Sequence, residues 1–361
     1  MVISVGVGKK MQAQINKSKK AIDAQKPIKM VNAHQDIEVD FNPNKTYKEI
    51  VYNREWEILR SYEYREYRAN WDYIPRNKVE TDFPMHLDIE TTNICNLSCP
   101  MCPRTVLLAQ ESFSDLSSIS KNEYKDIIDE GVKYGLKSIK LNYLGEPLSH
   151  KDLVWQIQYA KDKGVVDVMM NTNASLLTKK MSKNILNAGI DSVFVSFDAI
   201  DPEDYESQRV GTSIGLVIDN VYEFVKQRKK IRPSCQIRLS MVMYKDPKWL
   251  RQFEAIQVMW EKHVDAIGYG YYTDREENKI YPKVEGFHCA QPFQRMFLKV
   301  NGNVTICCVD DKDEVVVGNW KKESLHNIWS GEKYKKIRNM HANGQYYDMK
   351  MCQKCYLPHS D

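Results

Sequence analysis

HLDIETTNICNLSCPMC, residues 86–102, runs from an alternating segment straight into three cysteines. HLDIE alternates apolar and polar side chains, the period of a half-buried strand. Cys95, Cys99 and Cys102 then form C-x3-C-x2-C in the loop that follows. Thiolates are soft ligands suited to iron–sulfur clusters and to zinc. Three of them on a four-iron cube leave one iron open, which a cluster needs if it is to bind and cleave a substrate. A structural zinc would want a fourth local Cys or His, and His86, on the strand, is poorly placed for it. Buried thiols without metal are the remaining alternative.

Beyond this loop the chain alternates between strand and helix patterns. Apolar or alternating runs lie at 86–90, 138–143, 166–171, 192–197, 236–243 and 264–269, with helical stretches near 120–134, 150–163, 178–188, 214–229 and 247–262. Six strands with intervening helices predict an α/β fold: a parallel sheet curled into a partial (β/α)6 TIM-like barrel. Its functional loops belong at the C-terminal ends of the strands. After about 285 the pattern breaks. Runs at 295–300 and 303–308 alternate around Asn301-Gly302, a hairpin signal. A helix is predicted over 324–340, and Cys352 and Cys355 form a C-x-x-C pair. This predicts a small α+β appendage too short for its own core, which a metal would staple.

The organisation read from the sequence is therefore an N-terminal basic arm and aromatic helix (1–83), a barrel (84–284) and a cysteine-bearing C-terminal domain (285–361). The first thirty residues hold seven lysines against one Asp, as in a solvated arm. Residues 47–72 read as one helix, with Tyr47, Val51, Ile58, Leu59, Tyr62 and Trp71 sharing a face. Its aromatics and arginines resemble an RNA-binding surface, but Glu55, Glu57, Glu63 and Glu66 cancel the field nucleic acid requires. Lys plus Arg total 52 and Asp plus Glu 48, a formal net charge of +4, so neither nucleic acid nor membrane is expected as a partner. No apolar run approaches a membrane span, and the apolar start precedes its lysines, the reverse of a secretory signal. Nine cysteines in clusters suit metal binding in a reducing cytoplasm better than disulfides.

CNLSCPMC preceded by IETTN resembles the signature loop of the radical S-adenosylmethionine (SAM) superfamily, with Met101 where most members carry an aromatic. The resemblance implies a SAM-binding [4Fe–4S] cluster on Cys95, Cys99 and Cys102. It also implies SAM chelated to the open iron and, on reduction, a 5′-deoxyadenosyl radical that abstracts hydrogen from substrate. Gly145-Glu146-Pro147 resembles the family's GEP motif, which receives the SAM amino group; its alternative is an ordinary turn. Asn171, Ser196 and Asp198 end strands where relatives contact SAM, and Arg209 resembles an arginine that pairs with the SAM carboxylate. Met101 joins this cofactor-binding set. Gly268-x-Gly270 would let adenine lie against backbone. Ordinary strand-end polar groups are the alternative for these positions.

Cys289-x12-Gly302-x4-Cys307, then Cys352-x-x-Cys355, resembles the start of a SPASM domain. Full SPASM domains continue with further cysteines. The shorter pattern here implies the Twitch variant, with one auxiliary [4Fe–4S] cluster on Cys289, Cys307, Cys352 and Cys355, Cys308 being an alternative to Cys307. A structural zinc is the other reading. An auxiliary cluster can accept an electron from a substrate radical. The resemblance therefore implies an oxidoreductase acting on a small hydroxylated substrate of sugar or aminocyclitol type, supplied with electrons by flavodoxin or ferredoxin. Arg238 and Arg275 would assist proton loss or hold a phosphate, unless they are surface salt bridges. Cys235 would be a hydrogen-atom donor, or core packing. Alternatives are a peptide- or protein-modifying radical SAM enzyme, a sugar epimerase and, in another class, an iron–sulfur electron carrier, which needs no open iron.

Overall fold

The computed structural model describes residues 47–110, 115–273 and 279–359. The basic arm lies outside the described residues, as does Arg275. Among the described residues ten strands form: β1 (Tyr47–Val51), β2 (His86–Ile89), β3 (Ser138–Lys140), β4 (Asp167–Thr172), β5 (Ser192–Ser196), β6 (Gln236–Met243), β7 (Ala266–Tyr271), β8 (Arg295–Leu298), β9 (Asn303–Thr305) and β10 (Val316–Asn319). They make one sheet in the order β1-β7-β6-β5-β4-β3-β2-β8-β9-β10.

The six predicted barrel strands are β2 to β7, each parallel to the next. Parallel neighbours need crossovers, and the helices Lys121–Lys133, Leu153–Asp162, Lys179–Ala188, Ile214–Ile231 and Pro247–Trp260 supply them. Each starts where its sequence permits. Ser120 and Glu123 form a capping box, and Thr178 caps through Met181 N–H. Leu87 and Ile89 of β2 point into the core with Ile139, Val168, Val193 and Leu239. Strand alternation then turns His86, Asp88 and Glu90 to the other face. There Asp88, fully buried, pairs with Lys140 Nζ at 2.6 Å and Arg295 Nη1 at 3.3 Å. These cations hold its carboxyl well below the usual range despite burial. Among the described residues no helix is long and apolar enough to cross a membrane.

The single helix expected over 47–72 is corrected. Residues 47–51 are β1, paired antiparallel with β7. Two helices follow, Glu55–Ile58 and Tyr62–Arg76, and Ser61 caps the second through Tyr64 N–H at 3.3 Å. The open edge of β7 draws 47–51 into a strand, a tertiary choice that local periodicity does not contain. Between the helices, Arg60 is buried beneath the barrel. Its Nε donates to Ser234 O at 2.9 Å and Nη1 meets Asp167 at 3.2 Å, and Nη2 donates to Asp191 O. It ties together the N-terminal ends of β4, β5 and β6. Arg60→Met strands the buried Asp167 carboxylate, and breaking one side of such a pair costs about 3 kcal/mol. The urea midpoint of unfolding should fall accordingly, and an unchanged midpoint would refute the assignment.

The C-terminal part also departs from expectation. The hairpin forms, with Gly302 at φ 99° in the turn. Yet β8 pairs parallel with β2, so the hairpin extends the barrel sheet. Met296, Leu298, Val304 and Ile306 share the barrel's core, as a segment too short for its own core requires. β10 adds a third strand that the sequence reading missed. The helix expected over 324–340 is two, Leu325–Ser330 and Glu332–Ala342. They break at Gly331, where a Cβ would sit 2.7 Å from Asn327 O.

Candidate active site

Cys95, Cys99 and Cys102 all line one cavity of about 520 Å³ at the C-terminal ends of the strands. Their loop is held by backbone. Ser98 N–H donates to Val210 O at 3.0 Å, Cys102 N–H to Cys99 O at 3.1 Å, and Glu146 N–H to Ile94 O at 2.9 Å. Cys102 then stands at the N-terminal boundary of the helix Pro103–Ala109. Three donors approach the sulfurs: Leu97 N–H lies 3.5 Å from Cys95 Sγ, Arg209 Nη1 3.8 Å from Cys99 Sγ, and Asn173 Nδ2 4.0 Å from Cys95 Sγ. Burial pushes both thiols up, so they favour the neutral form until a metal or cation compensates. Among the described residues no three His, Cys, Asp or Glu side chains converge as on a single ion. In a cubane each thiolate holds a different iron, so three thiols around one cavity suit that group. Soft donors, a shared cavity and N–H groups aimed at sulfur together fit an iron–sulfur cluster.

Gly145 and Glu146 sit beside the cysteine loop. A Cβ on Gly145 would lie 2.1 Å from Thr92 O, so only glycine permits this approach. The Glu146 carboxylate, buried, accepts from Leu148 N at 3.1 Å, Thr172 Oγ1 at 2.7 Å and Asn173 N at 2.8 Å. It organises two loop ends as well as facing the cavity. Met101, Asn171, Ser196 and Arg209 also line the cavity.

Two expectations are corrected, and for Cys235 one of two alternatives is decided. Asp198 is fully buried behind Arg209; it accepts from Arg209 Nε at 2.5 Å and Val242 N at 2.8 Å, so it aims the arginine and does not face a cofactor. Pro147 starts the 3-10 turn Pro147–Ser149 and is not in the cavity wall. Cys235 precedes β6, fully buried at the strands' N-terminal ends among Arg60, Arg228 and Asp191. The opposite end of a parallel barrel strand cannot serve the mouth, so core packing is its role.

All five remaining cysteines gather in a second site. Cys289 neighbours Cys355 and Cys308, Cys352 neighbours Cys289 and Cys355, and Cys307 shares a hydrogen bond with Cys308. That bond, with Lys140 and Arg295 nearby, pulls the Cys308 thiol down to about 6 while Cys307 rises. Gln291 clasps Cys308: its Nε2 lies 3.6 Å from Sγ, and its Oε1 accepts Cys308 N–H at 3.3 Å. Four of the five thiols would complete a cubane. Cys307, Cys308 and Cys355 line a cavity of about 550 Å³ that shares Asn171, Arg238, Gly270, Thr273, Asp311 and Tyr356 with the first. Arg238 thus faces both. Its guanidinium lies 3.8 Å over the Phe194 ring, and Nη1 reaches Glu49 Oε1 at 3.4 Å, on the strand the sequence reading missed.

Sequence reasoning also passed over Arg104, which is buried in the first cavity's wall and donates from Nε to Asn93 O at 2.6 Å. Its position two residues after Cys102 was the available signal. Gln291, two residues after Cys289, was legible on the same ground.

Comparison with known proteins agrees with this geometry. Residues 89–243 match the model of the Radical SAM superfamily, and residues 289–356 match SPASM, an iron–sulfur cluster-binding domain. The chain is similar to GTP 3′,8-cyclase of Thermodesulfovibrio yellowstonii, 34% identical over 149 residues, covering 40% of this chain and 43% of that protein. The match thus spans less than half of that curated relative's length. Among solved structures it resembles Streptococcus suis SuiB bound to S-adenosylmethionine, with TM-score 0.56 and 14% identity over 84% of this chain and 78% of that one. It also resembles native anSMEcpe with bound AdoMet, with TM-score 0.53 and 13% identity over 72% of this chain and 84% of that one. At these identities the structures share a fold.

Proposed function

Because the chain belongs to the radical SAM superfamily and carries a SPASM domain, we propose that this enzyme oxidises a hydroxyl-bearing carbon of a small substrate, of sugar or aminocyclitol type. The family assignments carry SAM, its [4Fe–4S] cluster and further iron–sulfur binding with them. In our reading Cys95, Cys99 and Cys102 hold the SAM cluster, and Cys289, Cys307, Cys352 and Cys355 hold one auxiliary cluster. When bound and reduced, cluster and SAM supply a 5′-deoxyadenosyl radical. Oxidation of a hydroxyl-bearing carbon to a ketone removes one hydrogen atom, one proton and one electron; the bound groups would take the hydrogen atom and the electron, and the proton would leave to solvent from an oxygen held by Arg238.

One observation carries this reading: the cavities of the two thiol sites share a wall that includes Arg238. A substrate in that joint space meets the radical on one side and the electron acceptor on the other. A guanidinium donates and does not accept. Arg238 therefore holds the substrate oxygen and stabilises the charge that grows on it as the proton leaves. Glu49 and the Phe194 face keep the guanidinium oriented. Arg209, braced by Asp198, holds the SAM carboxylate. The reductant is a flavodoxin or ferredoxin, and the location is the reducing cytoplasm, where the thiols stay free.

The test is anaerobic incubation with SAM, a reductant and a panel of deuterated sugars and aminocyclitols. A true substrate moves deuterium from carbon into 5′-deoxyadenosine and becomes a ketone. Deuterium transfer coupled to an epimer of unchanged oxidation level would refute oxidation. Transfer from a peptide alone would refute the substrate class.

A further inference from the structure

Four arginines are buried among the described residues, and three of them meet a carboxylate. Arg60 reaches Asp167 at 3.2 Å, Arg338 reaches Glu80 at 3.9 Å, and Arg228 pairs with Asp265. Arg104 is the exception. It is 5% exposed, and the bond from Nε to Asn93 O is its one hydrogen bond. Neither Nη1 nor Nη2 has a partner, and neither is sealed from accessible space. Arg104 lines the first cavity together with Cys95, Cys99 and Cys102, so that is the space they open on.

A buried cation without a counter-charge is costly. The cost is offset where a bound group supplies the charge. The guanidinium is also held ready for one. Its Nε is fixed on the carbonyl two residues before Cys95, which leaves the Nη edge of the fork free. A two-oxygen anion, carboxylate or phosphate, matches that edge with two parallel N–H···O bonds. A cluster sulfur would occupy only one of the two nitrogens. Glu146 is engaged by Leu148 N, Thr172 Oγ1 and Asn173 N, and it leaves Arg104 unpaired. The SAM carboxylate is assigned above to Arg209, on the arm that Asp198 aims.

We propose that Arg104 holds an oxyanion of the substrate, so that the sugar or aminocyclitol carries a phosphate or a carboxylate. This rests on the reading that the joint cavity takes a small hydroxylated substrate. Arg238 then holds the reacting oxygen and Arg104 the anionic group. The two anchors stand on different elements, β6 and the helix Pro103–Ala109. Two-point binding of this kind fixes which carbon faces the radical. A neutral analogue leaves the buried guanidinium unpaired and is rejected for that reason.

The test needs no turnover. Inorganic phosphate and acetate are titrated calorimetrically into the reconstituted, SAM-loaded enzyme, using the parent chain, Arg104→Met and Arg104→Lys. The parent should bind at least one anion, and the tighter of the two tells phosphate from carboxylate. Arg104→Met should weaken that binding at least about tenfold, as loss of hydrogen bonds to a charged group does, with iron content and SAM affinity unchanged. Arg104→Lys keeps the charge without the fork and should fall between them. No binding of either anion to the parent overturns the proposal. So does equal binding by the parent and Arg104→Met, which would put the anion elsewhere, as on Lys279 or Lys354 of the second cavity. Weakened SAM binding in Arg104→Met would make the SAM carboxylate the ligand, and lost iron would make Arg104 a support of the cysteine loop; either overturns the proposal. If Arg104→Met fails to fold, Arg104→Lys decides, and affinity equal to the parent's overturns it. Failure of the anion titration is distinct from failure of the deuterated panel: a neutral sugar oxidised as fast as its phosphate and carboxylate counterparts overturns this proposal and leaves the oxidation reading standing.

Discussion

Replacing Cys95, Cys99 and Cys102 together by alanine abolishes SAM cleavage and leaves about four of about eight irons in the chain. The loss is total because the three thiols share one cavity, and no other cysteine lines it. Cys307, Cys308 and Cys355 line the second cavity, beyond the shared wall. The loop itself should persist. Its ties to Val210 O and from Glu146 N–H are backbone bonds that alanine does not touch, and Cys95 and Cys102 are only half-buried. The readouts are 5′-deoxyadenosine by chromatography and iron per chain. Cleavage above the enzyme-free control, or iron near zero, would refute the two-site reading. Cys235→Ala provides the contrast. It removes a fully buried thiol from the barrel floor, so stability falls by about 1 kcal/mol while cleavage stays at the parent level.

That contrast marks what the sequence made legible. Six strands, five crossover helices and the hairpin were readable because each is a local pattern with its own start and stop signals, as Ser120 and Glu123 show before the helix Lys121–Lys133. Cys95, Cys99 and Cys102 were readable because a short loop fixes their spacing whatever the rest of the chain does. Cys235 stayed open between core packing and hydrogen donation for the opposite reason. Residue type and strand membership were known, but which end of the strand it occupied mattered most. Asp198 failed similarly: a carboxylate at a strand end faces either the cavity or the arginine beside it, and Arg209 claims it.

The pieces that stayed hidden are those created by pairing between distant segments. β1 exists because β7 has an open edge, and β8 joins β2 for the same reason at the other side. Each pairing also brings a charge to the inner face. β1 supplies Glu49 to Arg238, and β8 supplies Arg295 to Asp88. Alternation gives the face of each residue but not its partner across the sheet. The sheet's two added edges thus bring Glu49 to Arg238 and a second cation, after Lys140 of β3, to Asp88, and no single segment reveals that.

The second large effect belongs to one methyl group. Gly145→Ala lowers the rate of 5′-deoxyadenosine formation about a hundredfold, as a misplacement near 1 Å does at a reacting centre, with iron unchanged. The new Cβ would lie 2.1 Å from Thr92 O and 3.0 Å from Asn93 Cα. Both are backbone atoms, so no rotamer relieves the clash, and one loop must move. The hydrogen bond from Glu146 N–H to Ile94 O, 2.9 Å, is the first to stretch. Glu146 also holds Thr172 Oγ1 and Asn173 N, and Asn173 reaches Cys95 Sγ. The shift therefore spreads along the wall where SAM would lie, while the cysteines keep their own spacing and their iron. KM for SAM should rise along with the fall in kcat. Gly164→Ala isolates the effect of the site from that of backbone strain. Gly164 has φ 93° with nothing within 4 Å of an added Cβ. Alanine there strains the backbone by about 1 kcal/mol and leaves cleavage alone. If Gly145→Ala cleaves SAM within about threefold of the parent, the Gly145 loop does not border SAM, and the cofactor pose must lie elsewhere in the cavity.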